Sequence, residues 1–161
     1  MLSALAQQSP VLSHHVLGPS QAEVISADVI QVGRTRVRLW GINLSRSNGS
    51  CPEYGPGATC TEGAVWELEH IIQNHEVRCE LFGMDDQEVR TARCEVRYDA
   101  CYGTTCTPYW RDLSEELISA GVVIQDRQES LGHYDNTEES ARSNRAGMWT
   151  ERTPDPVQPA T

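Results

Sequence analysis

The sequence contains no lysine, so arginine provides all 13 of its basic residues. These are outnumbered by 23 acidic residues, and the formal net charge is −10 at pH 7. A chain this acidic repels the phosphate backbone at long range, so its composition disfavours binding to long nucleic acid. Only a local cluster of arginines would override that repulsion.

Long apolar runs are also lacking. No stretch approaches the about 18 consecutive apolar residues that a membrane-spanning helix needs, so we expect membrane association only through a partner. The 161 residues are enough for one domain with its own core, and they contain no internal repeats. We assign this domain to residues 23–150.

The two ends of the chain carry little structural signal. Residues 1–22 are expected to be irregular. Within them, Ala4-Leu5-Ala6 fits the small-x-small pattern of a signal cleavage site, although the apolar run before it is too short for a complete signal peptide. A leader remnant and an irregular start both stay open. Residues 151–161 are proline-rich without an apolar pattern, which predicts a disordered tail.

No cysteine pair has C-x₂-C spacing, and no histidine lies near a cysteine at zinc-ligand spacing. An even number of cysteines in loop-rich sequence favours three disulfides in an oxidising compartment, so we expect an exported protein, periplasmic or extracellular. Reduced, buried thiols are the alternative, and counting alone leaves 15 pairings open. The six residues are Cys51, Cys60, Cys79, Cys94, Cys101 and Cys106.

Alternation and turn residues predict several strands. Residues 23–32 and 35–42 read as two strands joined at Gly33-Arg34, a two-residue turn with glycine first. Residues 76–83 and 89–98 read as a second strand pair, and residues 100–106 form a tight turn between two cysteines.

Three helices are predicted by apolar spacing and capping residues. The first has Thr61 as its candidate N-cap and one apolar face, made of Ala64, Val65, Leu68, Ile71 and Ile72. The second opens with Asp112-x-x-Glu115, which has the form of a capping box, and ends before Gly121. The third covers residues 136–146. Strands interrupted irregularly by helices indicate an α+β fold, and a small closed barrel would leave no open strand edges.

Three segments, in this order, resemble the staphylococcal-nuclease-like (thermonuclease) family. "SADVIQVGRTRVRLWGIN" is similar to the family's opening "DGDT-(strand)-RVRLxGIDxPE", "LSEELISAGVV" to its second helix, and "EESARSNRAGMW" to its closing "ExxARxxRxGxW". The likeness spans residues 23–149. It implies a five-stranded OB-type β-barrel with three helices, and a degenerate member of the exported bacterial type.

The resemblance also implies a disulfide pairing. Some exported members carry one cysteine pair in the loop after "GIDAPE" and another that joins "V-x-C" to "ARC". Cys51 and Cys60 match the first pair, while Cys79 and Cys94 match the second. Cys101 and Cys106 then remain as a third pair that is peculiar to this chain.

The family cleaves phosphodiesters with a bound Ca²⁺, and its site residues can be carried over by position. Asp28 matches one metal carboxylate, and Arg38 matches the first phosphate-binding arginine. Asn43 replaces the second metal carboxylate, Ser45 replaces a proline, and Arg46 replaces the glutamate that assists the attacking water.

The second phosphate-binding arginine of the family lies in a "YGR" motif, where this chain has "EVR". Arg90 is its expected counterpart, although a gapless alignment on Cys94 would place Val89 there instead.

These replacements predict that hydrolysis has been lost. Asp to Asn adds one positive charge and Glu to Arg adds two, so a surviving Asp28 would be a poor Ca²⁺ ligand beside arginines. An arginine cannot act as a general base at neutral pH. We therefore expect no cofactor, with Ca²⁺ bound only if an altered site is active, and an internal salt bridge from Asp28 to Arg38 or Arg46.

Two alternatives to this view of the site stay open. The loop could be misaligned, so that Glu53 supplies the missing acid. Asp28 could also be an ordinary strand-end or turn aspartate.

The preferred functional hypothesis is a non-catalytic, exported accessory or structural subunit of an envelope-associated assembly that binds a protein partner. Tyr109 and Trp110 are the expected contact residues, since aromatic residues are enriched at interfaces. The alternatives are a Ca²⁺-dependent nuclease with an altered site, and a binder of anions or single strands through Arg38, Arg46 and Arg90.

Overall fold

A computed structural model describes residues 16–84 and 89–150. Along the chain the elements are β1 (Val16–Ser20), β2 (Ala22–Val24), β3 (Val29–Val32), β4 (Thr35–Leu39), β5 (Ile42–Asn43), α1 (Cys60–Ile72), β6 (Val77–Met84), β7 (Arg90–Tyr102), β8 (Thr105–Asp112), α2 (Leu113–Ser119), β9 (Ile124–Gln125), α3 (Arg127–Ser130) and α4 (Asp135–Ser143). Two short 3₁₀ turns, Pro52–Tyr54 and Gly147–Trp149, complete the described elements.

Seven strands form one mixed sheet. Their hydrogen-bonded order is β1-β6-β7-β4-β3-β2, with β8 paired to β7, and the pairing of β4 with β7 is parallel. The two strands at the ends of this order, β1 and β2, are consecutive in the chain and separated only by Gln21. A small second sheet pairs β5 with β9 and ties the segment after β4 to the chain between α2 and α3.

The fold class is α+β, as the sequence predicted, but the architecture differs from the expected closed, five-stranded barrel with three helices. In the part of the chain that the structure describes, seven strands form the main sheet and there are four α-helices. The additional helix is α3. One additional strand arises because the first strand is divided into β1 and β2. The other is β8, which pairs with β7.

The prediction that residues 1–22 are irregular is wrong for Val16–Ser20, because these residues form β1 and pair with β6. Gly18 has a positive φ of 81°, and a Cβ at this position would collide with the carbonyl of Val77. The glycine at position 18 therefore allows β1 to approach β6 closely. The sequence did not predict this strand, because Gly18-Pro19 has the composition of a turn. Residues 1–15 and 151–161, for which a leader remnant and a disordered tail were expected, lie outside the described residues.

Helix α1 begins two residues earlier than predicted. Thr59, not Thr61, is the N-cap: its side chain accepts the Glu62 N–H, and the Glu62 carboxylate accepts the Thr59 N–H. Thr61 instead donates its hydroxyl to the Ser47 carbonyl. The predicted apolar face does pack into the core, with Ala64, Leu68 and Ile72 buried and Val65 and Ile71 partly buried. Burial of each large aliphatic side chain contributes about 1.5–3 kcal/mol.

All six cysteines form disulfides, and the three predicted pairs are confirmed. Cys51–Cys60 joins the loop after β5 to the first turn of α1, and Cys79–Cys94 links directly opposed residues of β6 and β7. Cys101–Cys106 joins β7 to β8 near their turn. Three disulfides and no free cysteine are consistent with an exported protein.

Asp112 connects the sheet to the helices. It ends β8 and is the N-cap of α2, as predicted, where its carboxylate accepts the N–H groups of Ser114 and Glu115. The same carboxylate accepts from Arg93 Nε (2.8 Å) and from the hydroxyl of the buried Tyr134 (2.8 Å). Glu115 does not complete the expected box in the described contacts; its carboxylate accepts from Thr137.

The third predicted helix is α4, which ends at Ser143, three residues earlier than the predicted end. Asn144 is its C-cap, and the chain then turns into the 3₁₀ segment Gly147–Trp149. Within residues 16–84 and 89–150, no helix is both long and apolar enough to span a bilayer.

The Tyr134–Asp112 hydrogen bond gives a prediction about pH. Burial, and then the charge and hydrogen bond of Asp112, raise the pKa of Tyr134 well above its usual value. A raised folded-state pKa means that the contribution to stability is complete below about pH 10 and is lost as the pH rises further. Tyr134→Phe should lower the free energy of unfolding at pH 7 by about 1.5–3 kcal/mol.

The same substitution should also make the loss of stability above about pH 10 shallower than in the wild type. Urea unfolding at pH 7, 9 and 11 measures both effects. Tyr102→Phe is the control, because this side chain is 94% exposed. Equal pH profiles for wild type and Tyr134→Phe would contradict the assignment.

Candidate functional site

Arg38 lies on β4 and is half-buried. In the parallel pairing of β4 with β7 it is opposite Thr91, and its Nη2 donates to the Thr91 hydroxyl (3.0 Å). Its Nη2 also donates to Oε1 of Glu129 (2.7 Å), while Nη1 approaches Oε2 of the same carboxylate (3.4 Å). The side chains of Arg38 and Glu129 are 24% and 22% exposed. The guanidinium therefore has an internal counter-charge that is partly shielded from water.

A backbone donor joins the same carboxylate. The Gly41 N–H donates to Oε2 of Glu129 (2.7 Å), and the Gly41 carbonyl accepts the N–H of Asp126 (2.8 Å). Asp126 also caps α3, accepting the N–H groups of Gln128 and Glu129. Both backbone polar groups of Gly41 are thus bonded to the segment that contains Glu129.

Only glycine fits at position 41. Its φ is +78°, and a Cβ there would lie 2.7 Å from Cε2 of Tyr134. The absence of a side chain lets the chain leave β4 directly above the Tyr134 ring. Trp40 covers the neighbouring side of that ring, with its own ring centre 5.8 Å away.

Asn43 has a local structural role. Its Oδ1 accepts the N–H of Ser45 (2.7 Å), which is the hydrogen bond of an Asx turn. Its backbone belongs to β5, opposite Ile124 of β9. A side-chain oxygen at this position starts the turn after β5, and either an amide or a carboxylate can supply it.

Arg46 contacts an aromatic residue. Its guanidinium carbon lies 5.4 Å from the ring centre of Trp149, and Arg142 lies 4.5 Å from the same ring. Arg142 is in turn paired with the buried carboxylate of Glu138 (2.6 Å). Arg46, which the resemblance placed at the position of a catalytic glutamate, is therefore part of a cation–π contact with the C-terminal 3₁₀ turn.

The other expected site residues are dispersed. Asp28 accepts a hydrogen bond from the Ser26 hydroxyl (3.1 Å) between β2 and β3, which agrees with the turn-aspartate alternative. In the described chain it forms no ion pair with Arg38 or Arg46, so the expected salt bridge is replaced by Arg38–Glu129. Arg90 is exposed at the start of β7, and Glu53 is exposed in the 3₁₀ turn after Cys51.

The donor set does not fit a calcium ion. Among residues 16–84 and 89–150, no three His, Cys, Asp or Glu side chains are grouped so that they could hold a metal. Ca²⁺ needs 6–8 oxygen ligands, and the side-chain oxygen of Asn43 already accepts the Ser45 N–H.

Glu129 is the site residue that the sequence analysis did not find. It is separated from Arg38 by 91 residues, so no local pattern connects them. The spacing Asp126-x-x-Glu129 has the form of a helix start and could have predicted α3. It could not have predicted that the glutamate side chain reaches back to β4.

The hairpin of β7 and β8 continues past the end of the pairing between β6 and β7 at Val96. We call its residues 98–110 the arm. No charged residue occurs between positions 100 and 110, and the Cys101–Cys106 disulfide crosslinks the arm near its tip. The arm is exposed from position 99 to 109, and Tyr102 is 94% exposed.

Tyr109 and Trp110, the expected contact pair, lie on opposite faces of the arm because successive strand residues alternate. Tyr109 stacks on Tyr98 with ring centres 5.6 Å apart, on the face that strand alternation also assigns to Tyr102. Trp110 lies on the other face, where Arg78 stacks 4.0 Å above its ring. Of the expected pair, Tyr109 alone lies on the face of the arm that contains Tyr98 and Tyr102.

Comparison with known proteins finds a distant similarity. No protein-family model matches the chain. The chain is similar to the succinoglycan biosynthesis protein ExoI of Rhizobium meliloti (strain 1021), with 27% identity over 131 residues. The match covers 80% of this chain and 63% of that protein's length.

The Asx turn at Asn43 generates a prediction about stability. Asn43→Asp should keep the free energy of unfolding within about 0.5 kcal/mol of wild type, because a carboxylate oxygen can accept the same Ser45 N–H. Asn43→Ala should lower it by about 1 kcal/mol, since the hydrogen bond is lost. Urea unfolding measures both, with Asn48→Ala as an exposed control. A loss as large for Asp as for Ala would contradict this role.

Proposed function

We propose that this chain is a non-catalytic member of the staphylococcal-nuclease-like family that serves as an exported accessory subunit of an envelope-associated assembly. The observation that carries the loss of catalysis is the pairing of Arg38 and the Gly41 N–H with Glu129. The residue that would bind phosphate in the family is already bonded to a carboxylate of its own chain.

Membership of the family is supported by the motif order and by the path of the sheet. The opening, second-helix and closing motifs of the family occur in order over residues 23–149. The end strands β1 and β2 are joined through Gln21 alone, so one stretch of chain borders both ends of the hydrogen-bonded order. We take this connectivity as support for a variant of the family's fold, although the sheet has seven strands and not the five of the family's barrel.

The loss of catalysis is supported by three separate residues. Asn43 is engaged in the turn after β5, Arg46 packs against Trp149, and Arg38 is neutralised by Glu129. Removal of a general base alone typically lowers a rate by about 10²–10⁴-fold. Loss of the metal would remove several kcal/mol more of transition-state stabilisation.

The accessory role is supported by the arm and by the similarity to a succinoglycan biosynthesis protein. An exposed, disulfide-linked hairpin without a charged residue between positions 100 and 110 is unusual in a chain with 36 charged residues, 13 basic and 23 acidic. Protein interfaces favour tyrosine and disfavour charged residues at their centre. We assign the contact with a protein partner to the arm face that contains Tyr98, Tyr102 and Tyr109.

The catalytic part of the proposal predicts no Ca²⁺- or Mg²⁺-dependent cleavage of plasmid DNA or RNA. The test compares wild type with Asn43→Asp/Arg46→Glu and with the same variant carrying Glu129→Ala. The double variant should remain inactive, because Glu129 still occupies Arg38, and any recovered cleavage should need the third change. Metal-dependent cleavage by the wild type that Arg38→Ala abolishes would overturn the proposal.

The docking part predicts that Tyr102→Ser/Tyr109→Ser leaves the melting temperature close to wild type, because both side chains are exposed. The same change should release the chain from envelope complexes of expressing cells, measured as co-sedimentation of the chain with the envelope fraction. Phe82→Ser is the matched control, since this aromatic is 52% exposed elsewhere on the sheet. Equal co-sedimentation of both variants would remove the arm as the contact.

A further inference from the structure

A cleft beside α1 contains a tryptophan that lies among carboxylates and not against an arginine. We propose that this cleft, between α1 and residues 54–58, binds an alkylated ammonium group, an organic cation with apolar substituents. The rings of Tyr54 and Trp66 contact these substituents, and the carboxylates of Glu62 and Glu69 supply the counter-charge.

The cleft has the size of a small-molecule site. Its volume is about 410 Å³, within the range of pockets that hold small organic ligands. One wall is a single face of α1, because its residues are spaced i, i+3, i+4 and i+7 along the helix: Glu62, Val65, Trp66 and Glu69. The opposite wall is the loop of residues 54–58.

The two walls are held together by covalent and hydrogen bonds. The disulfide Cys51–Cys60 ties the start of the loop to the first turn of α1, and the Tyr54 hydroxyl donates to Glu67 Oε1 at 2.6 Å. Gly63 lets the Tyr54 ring lie against the helix, since a Cβ there would be 2.6 Å from Cδ2 of that ring. The cleft is therefore formed before any ligand binds, which lowers the cost of binding.

The aromatic part of the cleft is oriented by its neighbours. Trp66 is 46% exposed, and its ring centre lies 5.5 Å from that of Tyr54 with the two planes tilted by 57°. The His70 ring stacks on the same indole at 3.7 Å. Both neighbours restrict the Trp66 side chain, so that an exposed tryptophan has a defined position.

The charge around the cleft is negative. Between Arg46 and Arg78 the sequence has no arginine or lysine, although it has five glutamates in that stretch. Two of them, Glu62 and Glu69, line the cleft, and no basic residue is among its lining residues. A concave site with charge of one sign raises the local concentration of ligands of the opposite sign. The cleft therefore favours a cation.

Other tryptophans of the protein show how a cation is used on an indole ring. Arg78 lies 4.0 Å from the ring centre of Trp110, and Arg142 lies 4.5 Å from that of Trp149. Within residues 16–84 and 89–150, no arginine makes such a contact with Trp66. The protein's own side chains provide the cation at two tryptophans, whereas an external group can provide it at Trp66.

The polar groups of the cleft select an alkylated ammonium over a metal ion or a bare ammonium. In the described part of the chain, no three His, Cys, Asp or Glu side chains are placed to hold a metal. The Glu62 carboxylate already accepts the Thr59 N–H at 2.7 Å. A bare ammonium has three donors that need acceptors once water is removed, whereas a quaternary ammonium has none. Its methyl groups instead contact Val65, Pro56 and the two aromatic rings.

The test is a titration of the protein with choline chloride, followed by NMR. The Trp66 indole N–H, assigned by its loss in Trp66→Phe, and the Val65 amide should shift saturably with the same apparent affinity. The uncharged isostere 3,3-dimethyl-1-butanol should bind about tenfold or more weakly, because it has the shape of choline without the cation. Ammonium chloride at equal ionic strength should cause no saturable shift.

Matched variants separate the cleft from general effects of charge and hydrophobicity. Trp66→Ala should lower the choline affinity about tenfold, read at the Val65 amide, whereas Phe82→Ala, at another exposed aromatic, should not. Glu69→Gln should lower it about threefold, whereas Glu139→Gln on α4 should not. Should Trp66→Ala not fold, Trp66→Phe keeps an aromatic ring and should bind choline more weakly than wild type, since Phe is the weaker cation–π partner.

Vesicles of phosphatidylcholine distinguish a lipid headgroup from a free ligand. The headgroup places a phosphate beside the ammonium, and the carboxylates of the cleft repel that phosphate. We therefore expect free choline to bind and the vesicles not to. Vesicle binding that Trp66→Ala abolishes would keep the site and assign its cation to a lipid.

Two results would overturn the inference. The first is an equal affinity for choline and for its uncharged isostere, which would leave only an apolar contact. The second is a choline affinity that is unchanged in Trp66→Ala, which would place any binding elsewhere on the chain. The site uses neither Arg38 nor the arm, so the outcome is independent of the cleavage and docking experiments.

Discussion

The rest of the structure depends on the carboxylate of Asp112. Asp112 is the last residue of β8. Its carboxylate caps α2, pairs with Arg93 of β7 and accepts the hydroxyl of Tyr134, the residue before α4. It is only 5% exposed, and a buried carboxylate is tolerated when its oxygens are fully bonded. Burial lowers the pKa of Arg93, but the hydrogen bond and the charge of Asp112, together with the neighbouring Tyr134 and Glu95, raise that pKa above its usual value. Sheet and helices are therefore joined through hydrogen bonds as well as apolar packing.

That constraint reaches the candidate site through Tyr134. Because Asp112 holds the Tyr134 hydroxyl, the ring lies under Gly41 and excludes any side chain there. The chain turns at Gly41, and the Gly41 N–H and carbonyl face the segment that begins at Asp126. Glu129 follows one helical turn later and can reach both the Gly41 N–H and Arg38. The closure of the site is thus a consequence of how the helices are attached to the sheet.

Local patterns predicted what local physics determines. The turn at Gly33-Arg34, the buried face of α1 and the cap at Asp112 all follow from residues within a few positions of one another. The disulfide pairs followed from the resemblance to the nuclease-like family and not from spacing. Strand β1 was missed because Gly18-Pro19 has turn composition while its pairing with β6 is set by distant residues. The Arg38–Glu129 bond was missed for the same reason, since tertiary packing alone joins residues so far apart.

Arg38, Glu129 and the Gly41 N–H are better understood as one set of contacts than as separate residues. In the family that the sequence resembles, a metal and its acids surround the phosphate-binding arginine. The side chain of Arg38 is 24% exposed, and a charge in such a place needs a counter-charge. Glu129 supplies the missing negative charge, and the Gly41 N–H satisfies its second oxygen. Arg38 is thereby part of the protein's own internal hydrogen bonding, which joins β4 to α3.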